Sequence, residues 1–159
     1  MARKGQTKLR QILPDPIYQS FMVAKLINSA IRDGKKTVIQ KQVYNALDIL
    51  KKETKENSLT VLEQALDNIK PKVEVRPRRI GGAVYQVPTP VRSNRQLSLA
   101  LRWLINVSRL KPNKQYHSFA EKLAAEILAA YKNEGAAITK RTEVERMAEA
   151  NKAFSHLRW

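Results

Sequence analysis

Residues 72–90, KVEVRPRRIGGAVYQVPTP, switch the apolar period of the chain from about four to two. Val73 and Val75 alternate with Glu74 and Arg76, Tyr85 and Val87 resume the alternation, and Gly81-Gly82 between them tolerates the positive φ of a tight hairpin turn. Pro77, Pro88 and Pro90 have no N–H to donate, so neither strand can be central in a larger sheet. The segment is predicted to be a two-stranded ribbon. Such a ribbon is marginal in water unless a body or a partner covers it.

The surrounding sequence reads as helix. Asp15-Pro16 has the form of an N-cap and a first-turn proline, and Phe21, Ala24, Ile27 and Ile31 carry helical spacing to Asp33-Gly34. From Lys36, Ile39, Val43, Ala46, Leu47 and Leu50 form one stripe; Leu59, Leu62, Leu66 and Ile69 form the next, capped by Asn57-Ser58 and stopped before Pro71. After Pro90 the period returns in Leu97, Ala100, Leu101, Leu104 and Val107. Ser118 to Glu121 spells a capping box opening a fifth helix, which ends near Gly135. A sixth, largely exposed helix pairs Arg141 with Glu145 and leads into a basic, aromatic tail.

The expected fold is mainly α: a single-domain bundle of about six helices with one projecting two-stranded β-hairpin between the third and fourth. Residues 1–14 are expected to be a basic flexible arm, and 15–159 the helical domain, including the hairpin at 72–90 and the C-terminal tail.

Charge narrows the function. Thirty Lys and Arg against fourteen Asp and Glu leave a formal charge of +16, which repels itself in a compact state unless a polyanion neutralises it. The excess is segregated: no acid lies between Glu74 and Glu121, whereas six acids face seven bases from Glu121 onward. Cysteine is absent, so disulfides and thiolate metal sites are excluded. The apolar runs around Lys25 and Arg102 are short and interrupted, so a cytosol-type protein without signal peptide or membrane span is expected.

Catalytic signals are weak. His117 and His156 have no neighbouring partner, and the carboxylates Glu121, Glu126, Glu145 and Glu149 read as solvated helix surface. Gly81-Gly82 lacks the remainder of any phosphate-loop motif. Neither enzymatic activity, cofactor nor metal is expected. The arginines are more informative: Arg95, Arg102 and Arg109 recur every seven residues, staying within about 40° of one another on a helix, with Asn106 in the same sector. Guanidinium groups grip phosphate bidentately, and Arg76, Arg78 and Arg79 add charge on the ribbon. Trp103, Tyr85 and Tyr116 are candidates to stack on unpaired bases.

The blocks DGKK (33–36), ALDNIKPKVEVRPRRIGGAVYQVP (65–88), ALRWL (100–104) and MAEANKAF (147–154) resemble the bacterial small-subunit ribosomal protein seven family, in order and from about Leu13 to Trp159. The resemblance implies a helical bundle with a β-ribbon between its third and fourth helices. It further implies a primary binder of small-subunit ribosomal RNA, in the 3′ major domain, whose docking starts head assembly. The ribbon would then lie near the exit-site tRNA and the messenger path, neighbouring small-subunit ribosomal proteins would be partners, and the protein would be cytoplasmic rather than organellar. Several bacterial members also repress translation of their own operon messenger.

Carried over residue by residue, the RNA-facing candidates are Arg3, Lys4, Lys8 and Arg10 in the arm, Lys35 and Lys36 between helices, and Arg76, Arg78 and Arg79 on the ribbon. Arg92, Arg95, Arg102 and Arg109 follow it, with Lys140, Arg141 and Arg146 in the last helix. Residues 108–119, SRLKPNKQYHSF, depart from the pattern as a longer loop, which places Arg109, Lys111 and Lys114 lower as RNA-facing groups. The alternative is an architectural DNA binder that uses the basic β-arm to enter a minor groove.

Overall fold

The computed structural model describes residues 11–157. Six α-helices, α1 (Phe21–Ala30), α2 (Lys36–Thr54), α3 (Ser58–Ile69), α4 (Ser93–Leu110), α5 (Phe119–Tyr131) and α6 (Ala136–Ala150), are followed by a 3-10 helix, Lys152–Leu157. Between α3 and α4 stands one antiparallel ribbon, β1 (Val73–Ile80) and β2 (Ala83–Pro90). The mainly helical architecture and the position of the hairpin agree with the periodicity.

Helix α5 lies at the centre, packing against α2, α3, α4 and α6. Ala120, Ala124 and Ala130 let neighbouring backbones approach it closely, and Leu123 and Ile127 fill the space between. Leu26, Leu47, Leu50, Leu62, Leu66 and Leu104, each at 2 % exposure or less, join it in the core, to which Ala137 and Ile138 of α6 also contribute. On α4 the apolar stripe is Leu101, Leu104 and Ile105, so this helix buries one side and offers the other to solvent.

Side chains satisfy the helix ends where the sequence provides them. Asn57 Oδ1 accepts from Leu59 N at 3.0 Å, and Pro71 forces Lys70 into an extended conformation that ends α3. Ser118 Oγ accepts from Glu121 N at 3.2 Å, while the Glu121 carboxylate reaches back to His117 N at 2.9 Å, one residue before the cap.

The first helix is shorter than its periodicity predicts. It starts at Phe21, with Ser20 as the cap, because Gln19 adopts a left-handed φ of 49° that breaks the chain direction. Asp15 instead caps a separate turn, accepting from Ile17 N and Tyr18 N at 3.2 Å, and its other oxygen accepts from Tyr44 Oη at 2.8 Å. The helix ends at Ala30, before the left-handed pair Asp33 and Gly34.

Register pairs Val73 with Pro90 and Ile80 with Ala83, leaving Gly81 and Gly82 as a two-residue turn with φ of 56° and 90°. Positive φ at both positions is the hairpin turn whose twist matches the strands, and glycine adopts it without a Cβ penalty. The body covers one side of the ribbon from its base as far as Tyr85. Val87 is fully buried, Tyr85 packs on Phe154 of the 3-10 helix with ring centroids 5.4 Å apart, and Lys72 N donates to Glu145 of α6 at 3.1 Å. The tip projects: Gly81, Gly82 and Ala83 are exposed and Val84 is 62 % exposed.

Candidate nucleic-acid interface

A carboxylate inside the ribbon governs the geometry of the arginines around it. Alternation would put Val73 and Val75 inside and Glu74 outside, yet Glu74 is 6 % exposed while both valines are only half-buried. Its Oε1 accepts from Arg76 Nε at 2.7 Å and its Oε2 from Arg95 Nε at 2.7 Å, so one acid ties β1 to the first turn of α4. Burial raises its pKa, but the hydrogen bonds and charges of Arg95 and Arg76 together outweigh burial and hold the carboxyl below its ordinary value. Glu74 therefore contributes stability above the unfolded carboxylate range, and that contribution is lost as pH falls through its depressed folded value. Glu74→Gln is expected to cost about 1–3 kcal/mol at neutral pH. It should also flatten the fall of stability on acidification below about pH 5, measured by urea unfolding across pH.

Although no acid lies between Glu74 and Glu121 in the sequence, the stripe meets one at its first member, because Arg95 belongs to a pair that also fixes the ribbon. The rest of the stripe differs. Arg102 is exposed and has no ion-pair or hydrogen-bond partner among the described residues. Arg109 is half-buried and donates from Nη2 to the Ala30 carbonyl at 2.8 Å, closing the C-terminus of α1. Burial, and then the neighbouring Arg32, push its pKa down. From Arg95 to Arg109 the stripe runs about 21 Å along α4, at 1.5 Å per residue, from the ribbon base to the α1–α2 turn.

Other candidates fall around it. Lys35 and Lys36 are exposed where α2 begins, Arg92 is exposed just before α4, and Arg76 and Arg79 are exposed on the ribbon. Arg78 and Arg79 point to opposite faces of the ribbon: Arg78 lies opposite Tyr85 and Arg79 opposite Val84. On α6, Lys140 is paired with Glu143 at 2.7 Å and Arg146 is exposed. Arg141 is held by the Asn68 carbonyl and lies beside Glu145 at 3.8 Å, so it joins α6 to α3. Arg3, Lys4, Lys8 and Arg10 lie outside the described residues.

Two polar residues that read as surface are buried. Glu126, 1 % exposed, pairs with Lys111 at 2.9 Å and accepts from Ala137 N at 3.0 Å; Lys122, 8 % exposed, donates to the Lys111 carbonyl and to Asn113 Oδ1, both at 2.6 Å. Lys111 is thus committed to the body and clamps the start of the loop between α4 and α5, which runs over 111–118 and not 108–119, because α4 continues to Leu110 and α5 begins at Phe119. The aromatic candidates are engaged as well. Tyr85 rests on Phe154, Tyr116 lies beneath Lys111 Nζ at 5.5 Å, and Trp103 packs against the core with part of its surface free. His117 and His156 are exposed, and among the described residues no cluster of His, Asp and Glu could hold a metal ion. No helix among those residues is long and apolar enough to cross a membrane.

A helical body carrying a guanidinium row and an anchored basic ribbon presents a cationic surface whose chemistry suits a polyanion. Similarity to known proteins specifies the class. The family described as Ribosomal protein S7p/S5e is matched over residues 2–152, and the chain belongs to that family of structural, non-catalytic proteins. It is 54 % identical to the small ribosomal subunit protein uS7 of Thermodesulfovibrio yellowstonii over all of both chains. It is 53 % identical to that of Caldicellulosiruptor bescii, also over all of both, and 52 % identical to that of Thermotoga petrophila over 99 % of each.

Proposed function

We propose that this chain is a cytoplasmic, structural component of the small ribosomal subunit and binds small-subunit ribosomal RNA, in the 3′ major domain, to start assembly of the head. The observation that carries the reading is the set of arginines without carboxylate partners among the described residues, Arg92, Arg102 and Arg109 at and along α4 and the exposed Arg79 on the ribbon. Held on one helix and one anchored ribbon, these cations are pre-organised, so little side-chain and backbone freedom is given up when phosphates dock. Lys35, Lys36 and Arg76 are further RNA-facing groups, as are Arg3, Lys4, Lys8 and Arg10 in the sequence before them. Lys140 and Arg146 are secondary RNA-facing groups. The projecting Gly81-Gly82 tip is the part that reaches toward exit-site tRNA and messenger, and neighbouring small-subunit proteins cover other faces. The operon messenger is a second RNA target for the same cations.

Architectural DNA binding is supported less. Pro77 sits four residues before the turn, opposite Gln86, and the tip is two glycines, so the arm offers no apolar wedge to part a base step. Filter binding at matched salt should show a clear preference for structured small-subunit ribosomal RNA over duplex DNA of equal length. Equal affinity for the two would sink the ribosomal reading.

A further inference from the structure

Between α1 and α4 lies a cleft of about 320 Å³ lined by Ser29, Ser98, Arg102, Ile105, Asn106 and Arg109. We propose that this cleft seats a single backbone phosphate of RNA, an inference that rests on the RNA-binding reading and deepens it.

The lining suits a phosphate oxygen pair. Arg109 is fixed by its bond to the Ala30 carbonyl, which uses one of its five N–H donors. Arg102 presents all five, and neither guanidinium has a carboxylate within ion-pair distance among the described residues. Ser29 and Asn106 are exposed, and their side chains have no hydrogen-bond partner among the described residues, so a hydroxyl and an amide N–H₂ are free to donate. Ser98 is different: its hydroxyl already donates to the Asn94 carbonyl at 2.9 Å. Every free group at the cleft can thus donate, and Ile105 supplies an apolar floor at 2 % exposure. A base would find no aromatic surface to stack on there.

The electrostatics favour an anion in the cleft. Half-burial of Arg109 and the nearby Arg32 both disfavour its charge, and an anion bound between Arg102 and Arg109 offsets both effects. Arg95, seven residues before Arg102 on the same stripe, has its anion supplied internally by Glu74. At Arg102 and Arg109 the corresponding anion comes from outside. Ser29 and Arg32 carry none of the sequence signals that marked the other candidates, because only the packing of α1 on α4 brings them to the stripe.

The test separates a built seat from a diffuse positive field. Arg102→Lys keeps the charge and removes the planar fork; Ser29→Ala with Asn106→Ala keeps every charge and removes two donors. Both variants alter exposed side chains, and circular dichroism confirms that the fold survives. Each is expected to weaken binding to structured small-subunit ribosomal RNA by about fivefold to tenfold at constant salt slope, as removal of charge-assisted hydrogen bonds does. Wild-type affinity in both overturns the seat while leaving the ribosomal reading intact. Failure of the unaltered protein to prefer that RNA would overturn the reading itself. Independently, the Arg102 Nε–Hε resonance should shift saturably with inorganic phosphate. No shift, or an equal shift with acetate, which would assign the cleft to a carboxylate-bearing protein partner, overturns the proposal.

Discussion

Glu126→Ala is expected to destabilise the protein by about 3–5 kcal/mol, because it leaves a cation and a backbone amide without their buried partner. Glu126 is the one acid on α5 facing inward at 1 % exposure, and it joins two loops at once. Lys111, at the end of α4, reaches it at 2.9 Å, and the first turn of α6 donates to it through Ala137 N. The turn between α5 and α6 is shaped around the same carboxylate. Gly135 adopts a φ of +93°, and a Cβ there would stand 2.9 Å from Glu126 Oε1 and 3.0 Å from Ala129 Cβ. Glu126→Gln retains an acceptor for Ala137 N and removes only the ion pair, so it should cost distinctly less. Urea unfolding at constant m-value measures both. A cost below about 1 kcal/mol for the alanine variant would mean that water or a rearranged loop satisfies Lys111 and Ala137 equally well.

Replacing Arg78 and Arg79 together with alanine should flatten the plot of log K against log salt for ribosomal RNA by about one to two units, at about 0.9 for each phosphate no longer neutralised. Between about 50 and 200 mM salt, the fall in affinity would become up to about tenfold shallower. Helix content should not change, because the contacts that join the ribbon to the body through Glu74, Val87 and Tyr85 all remain in the variant. The two side chains point to opposite faces, so an RNA that straddles the tip is held less firmly on both sides. An unchanged slope would place both guanidiniums in solvent in the complex and shift the electrostatic work to α4.

Much of this architecture was legible in the sequence. The change of period at Val73, the glycine pair, and the prolines that bar a third strand defined the ribbon. The stripe of Arg95, Arg102 and Arg109 followed from heptad spacing alone. What the sequence misread were roles set by distant partners. Glu74 looked like the outward member of an alternating strand, and Glu126 like part of a solvated helix surface. Asp15 looked like the cap of α1, but Gln19 breaks the chain before that helix begins. For Arg141 nothing in the sequence pointed to its contact with the Asn68 carbonyl, which joins α6 to α3.

Local periodicity by itself determined the elements, because the burial of a side chain one turn or two residues away depends on backbone geometry that the nearby residues set. The tertiary structure alone decided which cations are spoken for. Glu74 and Arg95 are 21 residues apart, and Arg109 and Ala30 are 79 apart, so only packing could show that the first arginine meets an internal acid and the second a helix end. Charge neutralisation acts through space and weakens with distance, so a stripe uniform in sequence becomes an ion-paired anchor at Arg95 and a guanidinium without a carboxylate partner among the described residues at Arg102.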